Sequence, residues 1–267
     1  DWSEALAKGD AIAVAEDGTL TLCAGDFSAA LTTDEDVALT LIGAGAGTSI
    51  LAGDGTNPVL TLGDASTLTL TDLTLTGGAG VYGGAIYADS ENALLISDAA
   101  LNDSNASAFG GAIYLGDDGT ASLTNVTLQD NTANTYGGAI YAEDSTLSME
   151  AVTLSGNEST YGGALFSDEA TLELTDATLQ DNTASYGGGF YIKDDSALRI
   201  TDSTLTGNLA QASYGQGGAV YAEDSEITLT GSIFSGNESE QGSGGAIGLG
   251  GSTLQITSTD FSDHYAL

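Results

Sequence analysis

The sequence repeats at a fixed period, and this feature constrains the fold more than any other. Pentapeptides related to GGAIY recur at spacings of 25 to 30 residues from position 83 onward. They begin at Gly83, Gly110, Gly137, Gly162, Gly187, Gly217 and Gly244. A period of this length indicates one structural unit per repeat, each stacked on its neighbours, as in solenoid proteins.

A second motif, LxxN or FxxN, recurs in step with the first. Its asparagines are Asn131, Asn157, Asn182, Asn208 and Asn237. We expect their side-chain amides to stack from coil to coil and to hydrogen-bond one another, because such a ladder satisfies buried polar groups without metal or water. A structural ladder is therefore favoured over a binding site at these positions.

Apolar residues within a repeat alternate with a period of two, which is typical of strands. In segment 170–182, Leu172, Leu174 and Leu179 share one face if a turn falls near Asp176. A repeat of about 26 residues accommodates three short strands and three turns, which make one coil of a parallel β-helix. A leucine-rich repeat has an overlapping period, but no repeat here contains the helical half that such a unit needs.

The prediction is an all-β, single-domain parallel β-helix of roughly ten coils that spans residues 1–267. Residues 1–10 are predicted to form a short N-terminal helical cap, because Trp2 and Leu6 lie on one helical face. Residues 11–80 have the strand pattern without the GGA motif, so we expect them to form less regular first coils. Residues 81–267 then form the repeat coils.

The paired repeats resemble those of the chlamydial polymorphic outer membrane proteins. The resemblance lies in GGA[ILV] at Gly83, Gly110, Gly137, Gly162, Gly217 and Gly244 and in FxxN at Asn237. More broadly, the chain is similar to bacterial right-handed parallel β-helix proteins of the pectate-lyase-like superfamily, which implies a right-handed coil. The sequence departs from the pattern because Leu replaces Phe in most FxxN motifs. This architecture serves lyases, adhesins and appendage proteins alike, so the resemblance implies a fold and no particular activity.

Aromatic residues flank the GGA motif in two columns. The first aromatic column precedes the motif and consists of Tyr82, Phe109, Tyr136, Tyr161 and Tyr186, with Tyr214 displaced by an insertion. The second aromatic column follows the motif and consists of Tyr87, Tyr114, Tyr141, Phe166, Tyr191 and Tyr221. Because the row that starts at Ala88 is mostly apolar, we expect that row inside and the second column outside. An exposed strip of this kind suits stacking on a carbohydrate or packing against another copy. Cross-strand stacking for stability alone is the alternative.

The composition is strongly acidic, with 38 Asp and Glu against 3 Lys and Arg and a formal net charge of -35. Such a polyanion repels nucleic acid and anionic lipid, because phosphate binding needs clustered Lys and Arg. Many of the acids form an acidic ridge just after the second aromatic column. Its candidate calcium ligands are Asp89, Asp117, Asp118, Asp144, Asp168, Asp194, Asp195 and Asp224, and it also contains Glu143, Glu169 and Glu223.

Stacking the coils in register brings the acids of the ridge close together. Neighbouring like charges then lie about 4.8 Å apart and repel by on the order of 1 kcal/mol per pair. We expect either high ambient salt or calcium that bridges carboxylates to offset this repulsion. A solvated acidic face without bound metal is the alternative.

No catalytic constellation is evident in the sequence. His264 is the single histidine, which excludes Ser-His-Asp triads and multi-histidine metal sites. The cations are Lys8, Lys193 and Arg199, and we expect the last two to neutralise the acidic ridge. Paired carboxylates are compatible with an Asp/Glu glycosidase, but carboxylates repeated in every coil are poor evidence of one catalytic site. The prediction is therefore no enzyme, no catalytic residue and no cofactor, with calcium as the one candidate ion.

These features predict a non-enzymatic extracellular structural protein whose copies associate, end to end or laterally, into a surface filament or layer. The alternative is a cell-surface adhesin or glycan-binding domain that uses the second aromatic column, and a polysaccharide-active enzyme is less favoured. Ice binding receives little weight because the outward row beside the regular threonines contains Glu173 and Arg199. Those threonines are Thr127, Thr153, Thr178 and Thr204.

The sequence also gives an expectation for location. No apolar run approaches the roughly 20 residues of a membrane helix, so we expect no membrane insertion. The chain begins at Asp1 without an apolar leader, which is typical of a processed bacterial protein. An extracellular or cell-surface location follows as the prediction.

Overall fold

The computed structural model describes residues 11–212 and 216–266. The predicted cap at residues 1–10 and the displaced Tyr214 lie outside the described residues. Within the described ranges the chain forms strands and no helix, and the strands pair in parallel. The strands belong to three sheets that run along one solenoid, which confirms the predicted fold class.

The first sheet, here called the motif sheet, contains the GGA motif strands and has ten members. Its strands are Ala11–Val14, Ala30–Thr33, Leu60–Leu62, Ile86–Ala88, Ile113–Leu115, Ile140–Glu143, Leu165–Asp168, Phe190–Lys193, Val220–Glu223 and Ile247–Gly250. Equivalent motif residues pair directly, as Ile113 does with Ile140 and Ile140 with Leu165. Ten strands at about 4.8 Å separation give a solenoid on the order of 45 Å long.

The second sheet, the broad sheet, has two strand segments in most coils, which merge into one continuous strand at Ala93–Asn102 and at Thr120–Gln129. They are Gly18–Thr21, Gly25–Ser28, Ala38–Ile42, Ser49–Ala52, Thr67–Thr71, Thr74–Thr76, Ala93–Asn102, Thr120–Gln129, Thr146–Glu150, Thr153–Ser155, Thr171–Thr175, Thr178–Gln180, Ala197–Thr201, Thr204–Thr206, Glu226–Thr230, Ile233–Ser235, Thr253–Thr257 and Asp260–Ser262. A bend separates the two segments, and in segment 170–182 it lies at Asp176, where φ is 52°. The predicted turn is confirmed there.

The third sheet, the short sheet, closes each coil. Its strands are Ala79–Tyr82, Asn105–Phe109, Thr132–Ala133, Glu158–Tyr161, Thr183–Tyr186, Leu209–Ala210, Glu238–Ser239 and Tyr265–Ala266. The glycine pair of the GGA motif connects this sheet to the motif sheet. Gly137 has a φ of 63°, and a Cβ on Gly138 would collide with the carbonyl oxygen of Gly163 in the next coil. Both glycines are therefore required by backbone geometry.

One continuous hydrophobic core fills the solenoid. Leu172, Leu174 and Leu179 are buried in it, whereas Thr171 and Glu173 on the alternate positions are exposed. The alternation predicted from the sequence is thus confirmed. The row that starts at Ala88 is also buried, as predicted, at Ala88, Leu115, Ala142, Ser167, Ile192 and Ala222. Its last member, Leu249 in the last described coil, is 41% exposed, so the prediction is wrong at that position.

Candidate functional surfaces

The asparagine ladder is fully buried and continuous. The amide nitrogen Nδ2 of Asn157 donates to the carbonyl oxygen of Leu128 at 3.1 Å and to Oδ1 of Asn182 at 2.9 Å. The backbone N–H of Asn157 donates to the same Oδ1 at 3.0 Å. Equivalent bonds join the other members, and all five asparagines have an exposure of 0%. The predicted stacking is confirmed.

The ladder extends beyond the five predicted asparagines at both ends. The backbone N–H of Ser104 donates to Oδ1 of Asn131 at 3.0 Å, so Ser104 occupies the ladder position one coil earlier. At the other end, the backbone N–H of Asn237 donates to Nδ1 of His264 at 3.2 Å. The segment FSDH at 261–264 aligns with FSGN at 234–237 and so puts His264 at the ladder position of Asn237 in the next coil. His264 is considered in the sequence analysis only as the single histidine.

The two aromatic columns pack against each other on the outer side of the motif sheet. Within the second column, the ring centroids of Tyr141 and Phe166 lie 5.5 Å apart and the planes are 2° from parallel. A ring of the first column covers this pair, because the centroid of Tyr136 lies 4.4 Å from that of Phe166. The columns therefore form a second hydrophobic cluster, separate from the main core.

The predicted exposure of the second aromatic column is wrong for most of its length. Phe166 is 3% exposed and Tyr221 is 9% exposed, and Tyr141 and Tyr191 lie between these values. Tyr87 and Tyr114 are half-buried. The column does lie outside the main core, as expected, but the first column folds over it. At one end of the cluster, Tyr82 remains 39% exposed.

Glutamates of the acidic ridge accept hydrogen bonds from the buried tyrosines. The hydroxyl of Tyr141 donates to Oε2 of Glu143 at 3.0 Å, and that of Tyr191 donates to Oε2 of Glu223 at 2.7 Å. Burial and the nearby carboxylate of Glu143 raise the pKa of Tyr141 well above its usual range. Burial, followed by Asp89, raises the pKa of Tyr87 to about 12. The YAE spacing, which puts Tyr and Glu on one face of a strand, carries the signal for the pair Tyr141–Glu143, whereas Tyr191 reaches Glu223 in the next coil.

The structure gives the acidic ridge a backbone role. Asp118, Asp144, Asp194, Asp195 and Asp224 all have positive φ in the turns between the motif sheet and the broad sheet. This left-handed conformation is costly for most side chains, and short polar ones such as Asp and Asn tolerate it best. Asp is also the residue at most other positive-φ positions outside glycine, namely Asp36, Asp72, Asp98, Asp103, Asp130, Asp176, Asp181, Asp202 and Asp263. Much of the charge thus lies where the coil must turn.

The predicted calcium ligands do not converge on a single ion. Within the described residues, no group of three or more Asp, Glu, His or Cys is arranged to hold a metal. Asp168 instead forms an ion pair with Lys193 at 2.8 Å, and Lys193 also pairs with Asp194. Calcium binding by Asp89, Asp117, Asp118, Asp144, Asp168, Asp194, Asp195 and Asp224 as a row therefore stays a prediction.

Of the two cations assigned to the acidic ridge, only Lys193 lies there. Arg199 is in the strand Ala197–Thr201 and pairs with Glu173 at 3.8 Å on the outer face of the broad sheet. Both side chains of this pair are exposed. The expectation for Arg199 is wrong because the turn at 194–196 carries the chain onto the broad sheet before Arg199 is reached.

The outer face of the broad sheet carries mainly hydroxyl side chains. We call its outward-pointing residues from 67 to 262 the threonine face. Its threonines include Thr67, Thr69, Thr71, Thr120, Thr124, Thr127, Thr146, Thr153, Thr171, Thr175, Thr178, Thr201, Thr204, Thr206, Thr228, Thr230, Thr253 and Thr257. Its charged residues are Glu150, Glu173, Arg199, Glu226 and Asp260, together with Asp72, Asp98, Asp176 and Asp202 at the bends between its two strand segments. Hydroxyl side chains therefore predominate on this face, and a row of carboxylates crosses it at the bends.

The last described coil leaves core-type side chains at the surface. Ile256 and Phe261 are 48% and 39% exposed. Their register partners one coil earlier, Leu229 and Phe234, are fully buried. This surface is apolar and distinct from the threonine face.

Comparison with known proteins identifies the type of fold. The family model described as "Right handed beta helix region" matches residues 59–234, which is more than half of the chain. No curated protein and no solved structure matched. Among the described residues there is no helix of the length and apolar character that crossing a membrane requires.

Proposed function

Because the chain belongs to the right-handed β-helix family, we propose that it is a non-enzymatic extracellular structural protein whose copies associate laterally through the threonine face. The β-helix fold is compatible with an extracellular structural or adhesin role. The observation that carries the choice is the extended, hydroxyl-rich outer surface of the broad sheet. Two copies with a net charge of -35 repel each other, so we expect them to approach through this surface when salt screens its carboxylates.

The size of the threonine face suits a stable contact. It spans the coils from Thr67 to Ser262 and the full width of a strand such as Ala93–Asn102. At about 4.8 Å per coil and about 3.3 Å per residue, this corresponds to on the order of 1,000 Å². Stable protein interfaces bury about 800 Å² per partner. The face is therefore large enough to hold two solenoids side by side.

The one positive charge among the described residues of the face also favours a paired arrangement. Arg199 is held only by a long ion pair with Glu173, and both side chains are exposed. Its guanidinium therefore keeps donors that can bind a carboxylate of a second copy, such as Glu226. In a two-fold symmetric dimer each contact of this kind occurs twice.

A glycan-binding adhesin is the alternative. Its proposed surface, the second aromatic column, is largely covered by the first column, and Tyr82 is the ring of the described columns that is most exposed. Stacking on a sugar needs an accessible ring face. Because most rings of the second aromatic column are covered, the structure favours lateral association through the threonine face over glycan binding by this column.

The test is the oligomeric state of the full chain at increasing salt, measured by sedimentation velocity and electron microscopy. Salt screens the acidic ridge, so we expect lateral pairs or layers to form as the salt concentration rises. Thr201→Asp places a charge between Thr175 and Thr230 in the middle of the face, and we expect it to weaken association at least tenfold. Asn134→Asp adds the same charge at an exposed position off the face and serves as the control.

Two outcomes would contradict the proposal. The first is a chain that stays monomeric at every salt concentration. The second is association that ignores Thr201→Asp but is lost in Ile256→Asp, since that result would move the contact to the last coil and make it end to end.

A further inference from the structure

One turn of the solenoid breaks the regular hydrogen bonding between coils. The turns from the motif sheet to the broad sheet contain two to four residues, and the four-residue turn 116–119 is followed by the two-residue turn 144–145. Within the first of these, the N–H of Gly119 donates to the carbonyl oxygen of Gly116 at 3.0 Å. It is therefore not directed to the next coil.

Later turns show what this bond replaces. The N–H of Ala170 donates to Oγ of Ser196 in the next coil, and the N–H of Ser225 donates to Oγ of Ser252, each at 3.0 Å. Ser145 occupies the equivalent serine position after Gly119. Because the N–H of Gly119 is used inside its own turn, the hydroxyl of Ser145 receives no such bond.

The hydroxyl of Ser145 is buried without any partner. The residue is 6% exposed, and its Oγ has no hydrogen bond in the protein. By contrast, Oγ of Ser196 donates to the carbonyl oxygen of Lys193 at 2.7 Å, and Oγ of Ser225 donates to that of Glu223 at 2.7 Å. A buried hydroxyl without a hydrogen-bond partner destabilises the fold, and a ligand that binds its oxygen would offset that loss.

Ser145 lines a surface groove together with carboxylates of three successive coils. They are Asp117 and Asp118, Asp144, and Glu169. Thr146 and Thr171 complete the lining, and no Lys or Arg is among these residues. The groove is thus a place of uncompensated negative charge with an unused hydroxyl oxygen.

We propose that this groove binds Ca²⁺, with Ser145 Oγ as a neutral ligand beside the carboxylates of Asp118, Asp144 and Glu169. No three carboxylates of the described residues are arranged to hold one ion, so at most two bind directly and water fills the remaining positions. Ca²⁺ accepts six to eight oxygen ligands in irregular geometry, whereas Mg²⁺ demands a near-ideal octahedron. A wet site of this kind belongs to the weak class, with a Kd of about 10⁻⁴ to 10⁻³ M.

The test is calorimetric titration of the full chain with CaCl₂ at constant ionic strength. Asp144→Asn keeps a residue that tolerates positive φ, so the turn is retained while a ligand charge is removed. We expect this variant to weaken Ca²⁺ binding at least tenfold. Asp176→Asn is the matched control, because Asp176 is also an exposed aspartate with positive φ but lies outside the groove. It is expected to leave the groove's affinity unchanged.

Ser145→Ala supplies an independent readout. Without calcium the variant is expected to be at least as stable as the parent, because the unpaired hydroxyl is gone. With calcium its rise in the urea midpoint of unfolding is expected to be smaller than that of the parent. Equal binding by the Asp144→Asn and Asp176→Asn variants would overturn the proposal, as would a calcium effect that magnesium or sodium reproduces in full. If calcium raises the urea midpoint of Ser145→Ala as much as that of the parent, Ser145 Oγ is not a calcium ligand. Its hydrogen-bond partner would then be a water molecule.

Discussion

Single residues in this solenoid act mainly by satisfying the backbone where it turns. Aspartates accept positive φ at the bends, and asparagines bind the backbone and one another in the buried ladder. Asn182 shows the second role, because its Nδ2 donates to Leu154 and Asn208 and its Oδ1 accepts two bonds from Asn157. Removing one such side chain leaves partners unpaired in two neighbouring coils.

We expect Asn182→Ala to lower the free energy of unfolding by about 2 to 4 kcal/mol, since each buried group left without a partner costs about 1 to 3 kcal/mol. Urea denaturation followed by circular dichroism measures this loss. Asn134→Ala changes an exposed asparagine outside the ladder, and its effect is expected to stay within about 0.5 kcal/mol. Equal losses in the two variants would show that the ladder adds no stability of its own.

Among the structural elements, the two aromatic columns link the packing of the rings to the ionisation of the tyrosine hydroxyls. The second column is buried by the first, and its hydroxyls reach carboxylates at the end of the motif strands. Burial and these carboxylates both disfavour the phenolate. The columns therefore favour the protonated phenol in the folded state, with the pKa of Tyr87 at about 12 and those of Tyr141 and Tyr191 raised further.

The columns make stability depend on pH in the alkaline range. Unfolded tyrosine has a pKa of about 10, and the folded values lie above it, so the folded state holds more protons above that pH. The contribution is fully present below pH 10 and is lost as the pH rises toward the folded pKa values. We expect the urea midpoint to fall steadily above pH 10, with phenolate absorbance of the buried rings appearing together with unfolding. Tyr141→Phe is expected to make that fall less steep. Full phenolate absorbance in a folded chain would contradict the burial of the second column.

The molecule as a whole is a rod with unlike faces. The acidic ridge runs beside the motif sheet, and the hydroxyl-rich threonine face, with a row of aspartates at its bends, covers the broad sheet. Only Lys193 forms an ion pair with the ridge among the described residues. Self-repulsion of the folded state is therefore expected to respond to ionic strength.

Salt is expected to stabilise the fold. The Debye length falls from about 30 Å at 0.01 M to about 8 Å at 0.15 M, so the free energy of unfolding should rise most steeply between these concentrations. The double variant Asp176→Asn, Asp202→Asn removes two adjacent charges at bends that still tolerate Asn, and we expect it to lessen the salt dependence. Thermal unfolding at several NaCl concentrations measures both slopes. A melting temperature independent of salt would mean that the charges do not interact across coils.

The sequence by itself determined the period, the parallel register and the asparagine ladder, because each depends on which residues return to the same place in every coil. It also placed the second aromatic column outside the core, since alternation assigns each residue to one side of a strand. Only the tertiary structure decided that this column is covered, that Arg199 lies away from the acidic ridge, and that the hydroxyl of Ser145 has no partner. These features depend on which other segment packs on a given side and on how long each turn is. The two-residue alternation within one strand specifies neither the segment that covers it nor the length of the turn that follows it.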